Sequence, residues 1–367
     1  MTPQFKDLKR HLARIATTRQ YVEVSSFNRP RFIDMDEYRF QGQPFKRLRI
    51  ILRSNGCSIP TCTMCALPNQ GIDPHLQLLT SENYIKQIEY ALSITSRSDI
   101  ICIYNDGSFF SARELPRDAR NAIYSMIAKR GCSFLMVESL PNFITRACIE
   151  EAKTILGKTE IIVAMGLQSS SDIVRELCIN SPVTAEAFRS ALNILKDYNT
   201  KTKVYILFKP PFLTETEALI DATTSAMWVL NQGVNDVTLC PVRVSPGTIV
   251  YHLFTKRMYN PPTLTSVIKC LKLIREKGAV IRVAIFNLLS SDFEAITPSA
   301  CECCLPKMIN GLRQYNLDPW SVNLDELYCN HFPPQEDINN PEECGEVPIA
   351  ARINSYIQKI TNNEISK

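Results

Sequence analysis

The stretch Leu48-Arg49-Ile50-Ile51-Leu52-Arg53-Ser54-Asn55-Gly56-Cys57-Ser58-Ile59-Pro60-Thr61-Cys62-Thr63-Met64-Cys65 runs from an apolar, strand-like segment straight into three cysteines. Three thiolates packed this closely can hold three irons of a cubane cluster and leave the fourth open to a small molecule. Zinc and disulfide readings compete for the same residues. Zinc on Cys62-x-x-Cys65 needs a second ligand pair, and none lies nearby in sequence. A disulfide needs an oxidising compartment, whereas Met1-Thr-Pro-Gln-Phe-Lys-Asp has no apolar signal core, so a cytoplasmic location is expected.

Working outward, the strand at Arg47 to Arg53 is followed by six more short apolar runs: Asp99 to Asn105, Ser133 to Ser139, Glu160 to Gly166, Lys203 to Phe208, Asp236 to Pro241 and Val280 to Phe286. Near-continuous hydrophobicity is what a parallel sheet buried on both faces requires, and the helical patterns between the runs argue for βαβ units. Helix starts agree: Ser111-Ala-Arg-Glu114 and Thr214-Glu-Thr-Glu217 match the capping box, and Thr80 and Thr184 stand at N-cap positions. The expected fold is α/β, a partial (β/α)6 barrel of the TIM type over residues 46–290, with an N-terminal extension, 1–45, and a cysteine-containing C-terminal extension, 291–367. The tail reads as loop-rich around Pro333-Pro334 and Asn339-Asn340-Pro341, then as helix from Ile349 to Ile360.

The 367 residues are 45% hydrophobic and 21% charged, as in an ordinary globular protein, and no stretch has the length and apolarity of a membrane span. A net charge of +4 gives no strong footprint for nucleic acid. One local basic segment, Arg29, Arg31, Arg39, Lys46, Arg47, Arg49 and Arg53, reads either as phosphate-binding or as a solvated face. Of the 14 cysteines, Cys102, Cys178 and Cys240 lie in or near apolar runs and behave as small hydrophobes. There are four histidines, none in a Ser-His-Asp pattern, and no phosphate-binding glycine loop.

Barrel loops converge at the C-terminal ends of the strands, so the residues there form the candidate site. Asn105-Asp106-Gly107-Ser108 lets the backbone approach a ligand closely and offers the Asp106 carboxylate to an ammonium group; a plain turn has the same composition. Glu138 ends the third strand and Gln168-Ser169-Ser170-Ser171 follows the fourth, with Arg175 placed to grip a carboxylate. A solvated Glu and a helix cap are the bland alternatives. Lys209 precedes Pro210-Pro211 as a surface cation or a ligand for an anionic group, and Arg243 and Tyr259-Asn-Pro-Pro fall on the substrate side of the mouth.

With its three-cysteine loop after the first strand and its polar strand ends, the chain resembles the radical S-adenosylmethionine (SAM) superfamily, in the branch of the Elongator catalytic subunit and the methylthiotransferases. The resemblance implies a [4Fe-4S] cluster on Cys57, Cys62 and Cys65, with SAM chelating the open iron through its amino and carboxylate groups. One electron from a flavodoxin- or ferredoxin-type donor then splits SAM into methionine and a 5′-deoxyadenosyl radical, which abstracts hydrogen from the substrate. The spacing departs from the family's, with four residues, Ser58 to Thr61, where three are usual. By the same resemblance Met64 packs near adenine, and Asn105, Asp106, Gly107 and Ser108 hold the methionine amino group, although the usual Gly-Gly-Glu is missing. Gln168, Ser170 and Arg175 complete the SAM site.

The segments Asn105-Asp-Gly-Ser-Phe-Phe, Val137-Glu-Ser-Leu-Pro, Gly166-Leu-Gln-Ser-Ser, Leu207-Phe-Lys-Pro-Pro-Phe-Leu-Thr-Glu-Thr-Glu-Ala and Tyr259-Asn-Pro-Pro resemble the archaeosine-forming radical SAM proteins of tRNA modification. This implies cleavage of a C–N bond in a lysine-modified 7-deazaguanine of tRNA, alongside a lysine-transferring archaeosine synthase partner, with Glu138, Lys209 and Arg243 meeting the substrate. A radical enzyme of small-molecule or nucleoside precursors is one alternative, since Gln168 stands where the related pattern often has Glu. A non-catalytic, metal-scaffolded RNA-binding protein is the other.

Late in the chain, Cys301-Glu-Cys303-Cys304 and Cys329-Asn-His331 bring together thiols and an imidazole. Cys301, Cys304, Cys329 and His331 are the right ligand types for tetrahedral zinc, with Cys303 able to replace Cys301 or Cys329. An auxiliary iron-sulfur cluster and unligated thiols are the other readings. Cys344 is expected to be unrelated.

Overall fold

A computed structural model describes residues 26–75, 77–285, 300–329, 331 and 347–365. Eight strands, β1 (Phe32–Phe40), β2 (Gln43–Ile51), β3 (Ile100–Tyr104), β4 (Phe134–Glu138), β5 (Glu160–Gln168), β6 (Lys201–Phe208), β7 (Asp236–Pro241) and β8 (Arg282–Val283), form one sheet in chain order. β2 to β8 are parallel, and all seven expected strands are present. β1 falls in the stretch read as an extension and pairs antiparallel with β2.

Nine helices are described: α1 (Ser81–Ile94), α2 (Arg117–Arg130), α3 (Arg146–Leu156), α4 (Ala185–Asp197), α5 (Glu215–Asn231), α6 (Ile249–Thr255), α7 (Leu264–Glu276), α8 (Leu305–Leu317) and α9 (Ile349–Ile365). Thr80 and Thr184 cap α1 and α4, and Thr214 with Glu217 forms the reciprocal capping box of α5. The Ser111/Glu114 box does not form: α2 starts later, behind Pro116, and Glu114 is turned elsewhere. Phe286, Pro333-Pro334, Asn339-Asn340-Pro341, Cys344 and the first 25 residues lie outside the described residues.

Side-chain alternation splits each strand between two layers. Ile101 and Ile103, Leu135 and Val137, Ile161, Val163, Met165 and Leu167, and Val204, Ile206 and Phe208 are buried against the helices. The opposite parity points into the lumen, whose N-terminal end is plugged by Tyr38, Phe40, Ile100, Cys102, Phe134, Met136 and Ile162. Further along the same inward rows come Tyr104, Glu138, Ala164, Gly166 and Tyr205. The lower lumen thus joins this plug to a buried polar cluster, in which Lys203 bonds Tyr38, Asp236 and Thr238, and the lumen is polar above as well.

The basic segment is largely neutralised within the fold. Arg47 pairs with Asp36 at 2.6 Å, Arg49 with Asp34, and Arg31 with Asp106 at 2.7 Å. These arginines build the sheet and the mouth, and do not form a phosphate-binding face.

Candidate functional site

The cysteine loop leaves β2 through Gly56, whose φ of +79° is open chiefly to glycine. It is then fastened from three sides. Thr63 donates its amide to Ile179 O at 2.9 Å and its hydroxyl to Cys178 O at 2.6 Å, Asn180 donates to Thr61 O at 2.9 Å, and Val250 donates to Thr63 O at 3.2 Å. The carboxylate of Glu114 accepts from Ser58 N and Oγ and from Ser108 N, joining the cysteine loop to the loop after β3. Gly107 lies where they meet: a Cβ there would sit 1.9 Å from Glu114 Oε2 and 3.3 Å from Cys57 Cα.

Burial and the neighbouring sulfurs push the Cys62 thiol well up, and Cys65 to about 12. Neither carries a disulfide. Thiols so desolvated and crowded stay protonated unless a cation binds them, so they do not read as reactive cysteines. The loop after β3 also fits a bound ligand. Asn105 is 1% exposed, yet both polar atoms of its amide lack a partner among the described residues, as do Asp106 Oδ2 and Gln168 Oε1. Buried polar atoms of this kind are ordinarily satisfied by a ligand or by water. Burial raises the Asp106 carboxyl to about 6 against the pull of Arg31.

Asp106, Gln168 and Lys209, at the ends of β3, β5 and β6, all hold φ between +56° and +71°. Such conformations are costly for residues with a Cβ and gather where a site demands a particular side-chain direction. Lys209 is 3% exposed, with Nζ 2.5 Å from Glu215, and Tyr259 donates to its carbonyl at 2.7 Å. Arg175 is buried on Ser169 O and Asp172, and the Ser170 amide donates to Ser225 Oγ at 2.7 Å. These three side chains thus brace the mouth from behind. Met64 packs, half-buried, against the main core.

Glu138 faces the lumen half-buried, and desolvation raises its carboxyl although the Tyr205 phenol hydrogen-bonds it. Arg243 is near enough to Cys65 and Cys240 to feel their charge, and burial lowers its guanidinium. The Cys57, Asn105 and Glu138 regions and Arg243 therefore converge on one end of the barrel, as their positions at strand ends predict. Glu114 and Tyr205 were not legible as site residues. Alternation along Lys203-Val-Tyr205 places the tyrosine inward, whereas nothing local marks Glu114.

The late cysteines also meet. The ligand atoms of Cys301, Cys304, Cys329 and His331 all lie within 4.8 Å of one another, and Cys303 Sγ is 3.1 Å from Cys301 Sγ.

No family model matches the chain. It is 32% identical over 240 residues to an uncharacterized protein of Methanocaldococcus jannaschii, an alignment spanning 64% of this chain and 66% of that one, just under two thirds. It is 28% identical over 298 residues to archaeosine synthase subunit beta of Methanosarcina acetivorans, spanning 78% and 83%. Among solved structures, archaeal Elp3 of Methanocaldococcus infernus superposes with a TM-score of 0.48 at 16% identity, over 69% of this chain and 60% of that one. By sequence, the chain is a homologue of proteins named archaeosine synthase subunit beta, and its three-cysteine loop is like that of the radical SAM proteins.

Proposed function

We propose that this radical SAM enzyme cleaves a C–N bond in a lysine-modified 7-deazaguanine of tRNA, leaving the amidine of archaeosine. The observation that carries the reading is the relation to archaeosine synthase beta subunits over 78% of the chain, joined to a cysteine loop fixed beside a polar lumen. Cys57, Cys62 and Cys65 would hold the [4Fe-4S] cluster, and Asn105, Asp106, Gly107 and Ser108, with Met64 and Gln168, the SAM. When bound, the pair supplies a carbon radical able to take hydrogen from an unactivated C–H bond, which makes the adjoining C–N bond labile.

The chain's own residues position and exclude. Glu114 locks the two loops against each other, and the aromatic plug with the Lys203–Asp236 pair fills the lumen below. Ser170, Arg175 and Lys209 hold the loops after β5 and β6, while Glu138 and Arg243 face the substrate. A lysine-transferring synthase subunit upstream and a flavodoxin- or ferredoxin-type donor complete the scheme.

The test is anaerobic reconstitution, reduction in the presence of SAM, and measurement of 5′-deoxyadenosine and archaeosine with lysine-modified and unmodified tRNA. Both products should rise with the lysine-modified tRNA alone. Deoxyadenosine indifferent to that tRNA would discard the substrate and favour a small-molecule precursor; none from a loaded cluster would discard the enzyme reading for the RNA-binding one.

A second metal belongs to the same reading. Zinc–sulfur bonds of about 2.3 Å at tetrahedral angles place ligand atoms roughly 3.5–4 Å apart. Cys301 Sγ and Cys304 Sγ lie 3.7 and 3.6 Å from His331 Nδ1, and Cys329 Sγ lies 3.4 Å from Cys301 Sγ. These separations favour zinc.

A further inference from the structure

Glu138 is a lumen carboxylate without a cation. It makes no ion pair among the described residues, although Lys203 acts on it at longer range. Lys203, the nearest cation along the inward face of β6, has its donors taken by Tyr38 at 2.8 Å, Asp236 at 3.0 Å and Thr238 at 2.6 Å. Asp106, the other acid near Glu138, already has Arg31.

The register explains how the carboxylate is held. Glu138 of β4 pairs with Ala164 of β5, and Gly166, the next inward residue of β5, pairs with Tyr205 of β6. Both residues of the strand between are small, and the Gln168 amide occupies the space at Gly166, where a Cβ would sit 2.3 Å from its Nε2. The Tyr205 phenol, on the neighbouring strand, is the carboxyl's hydrogen-bond partner.

We propose that Glu138, oriented by Tyr205, is the subsite for an ammonium group on the substrate. A desolvated carboxylate with one neutral donor and no counter-ion is costly, and a ligand that brings the missing cation relieves the cost. Within the reading above, which this inference rests on and deepens, that cation is the free α-ammonium of the substrate's lysyl moiety. Glu138 is then a substrate-binding residue and Tyr205 a positioning residue acting through it.

The experiment uses reconstituted holoenzyme and two tRNAs, one carrying the lysine adduct and one carrying the 6-aminohexanoate adduct, which keeps the chain and carboxylate but lacks the α-amine. Affinity is measured directly, by fluorescence anisotropy, beside the KM and kcat of cleavage. Wild type should bind the deaminated tRNA about tenfold more weakly, as expected for one lost charge-assisted hydrogen bond. Glu138→Gln should bind both tRNAs alike. Tyr205→Phe should raise KM for the lysine adduct several-fold, leave kcat nearly unchanged, and leave binding of the deaminated tRNA as in wild type. If Glu138→Gln still discriminates as wild type does, or wild type does not discriminate, the subsite is refuted while the reaction stands. Should wild type bind unmodified and lysine-modified tRNA equally and cleave neither, both the subsite and the proposed function fall.

Discussion

At the scale of single residues, the fold commits atoms that a sequence reader would take for loop. Gly107 is the clearest case, because its missing Cβ is the space in which Glu114 joins two loops. Gly107→Ala should displace that carboxylate, destabilise the fold by about 1–3 kcal/mol through overpacking, and lower iron retained per chain after reconstitution. Iron content and a melting curve check it; full iron at an unchanged melting temperature would show that the loops do not depend on Glu114. Asp221 supplies a pH signature away from the cysteines. Burial raises its carboxyl from 3.8 to about 6, against the pull of the Ser169 hydroxyl and Arg175. The folded protein thus holds this proton more tightly than the unfolded chain does. The resulting stability is full below about pH 4 and is lost as pH rises through about 6. Asp221→Asn should remove that loss, so that urea midpoints fall less between pH 4 and pH 7 than in wild type, by up to about 3 kcal/mol for a two-unit shift. Equal changes in the two proteins would refute the assignment.

At the scale of elements, the parallel strands were legible because each is a short, continuous apolar run between capped helices, and burial on both faces allows little else. β1 was not legible because Phe32-Ile-Asp-Met-Asp-Glu-Tyr-Arg-Phe40 carries acids on the inward row that opposes Arg47 and Arg49 of β2. Its charges are cross-strand partners, and in sequence they look like a solvated segment. The false capping box has a similar cause: Ser111 and Glu114 have the right spacing, but Glu114 finds better donors in the cysteine loop. The C-terminal helix α9 shows an element fastened by a half-buried ion pair. Arg352 donates to both oxygens of Glu217, at 2.9 and 2.5 Å, and to Phe212 O at 2.7 Å, while Tyr356 packs on Phe212 and His252. Glu217 is also the capping-box carboxylate of α5. Arg352→Ala leaves that half-buried charge behind and should cost about 1–2 kcal/mol in chemical denaturation. A loss below about 0.5 kcal/mol, the usual size for a surface pair, would mean that α9 is anchored by its apolar face alone.

At the scale of the whole molecule, the sheet stays open between β1 and β8, and α8 bridges the gap. Asn316 near the end of α8 imitates a strand neighbour for β8: its amide donates to Val283 O at 2.7 Å and its oxygen accepts from Val283 N at 2.9 Å. Arg39 of β1 donates to Leu317 O at 2.8 Å, and Arg282 of β8 donates to Asn316 O at 3.0 Å, so one helix end ties both edges. The opposite end of α8 begins at Cys304, among the late thiols and His331. A metal bound there would clamp the same helix that the Asn316 contacts hold at its other end, and the two contributions to stability should then not add. Asn316→Ala alone strips two buried backbone groups of their partners and should cost about 2–3 kcal/mol. Removing zinc with a chelator, read as about one equivalent of metal released, should lower the melting temperature of wild type. It should lower that of Asn316→Ala by clearly less, because α8 is then already loose at the barrel edge. Strict additivity in the double perturbation would show that the metal stabilises only its own loop, and no metal release from freshly purified protein would remove the second site from the scheme.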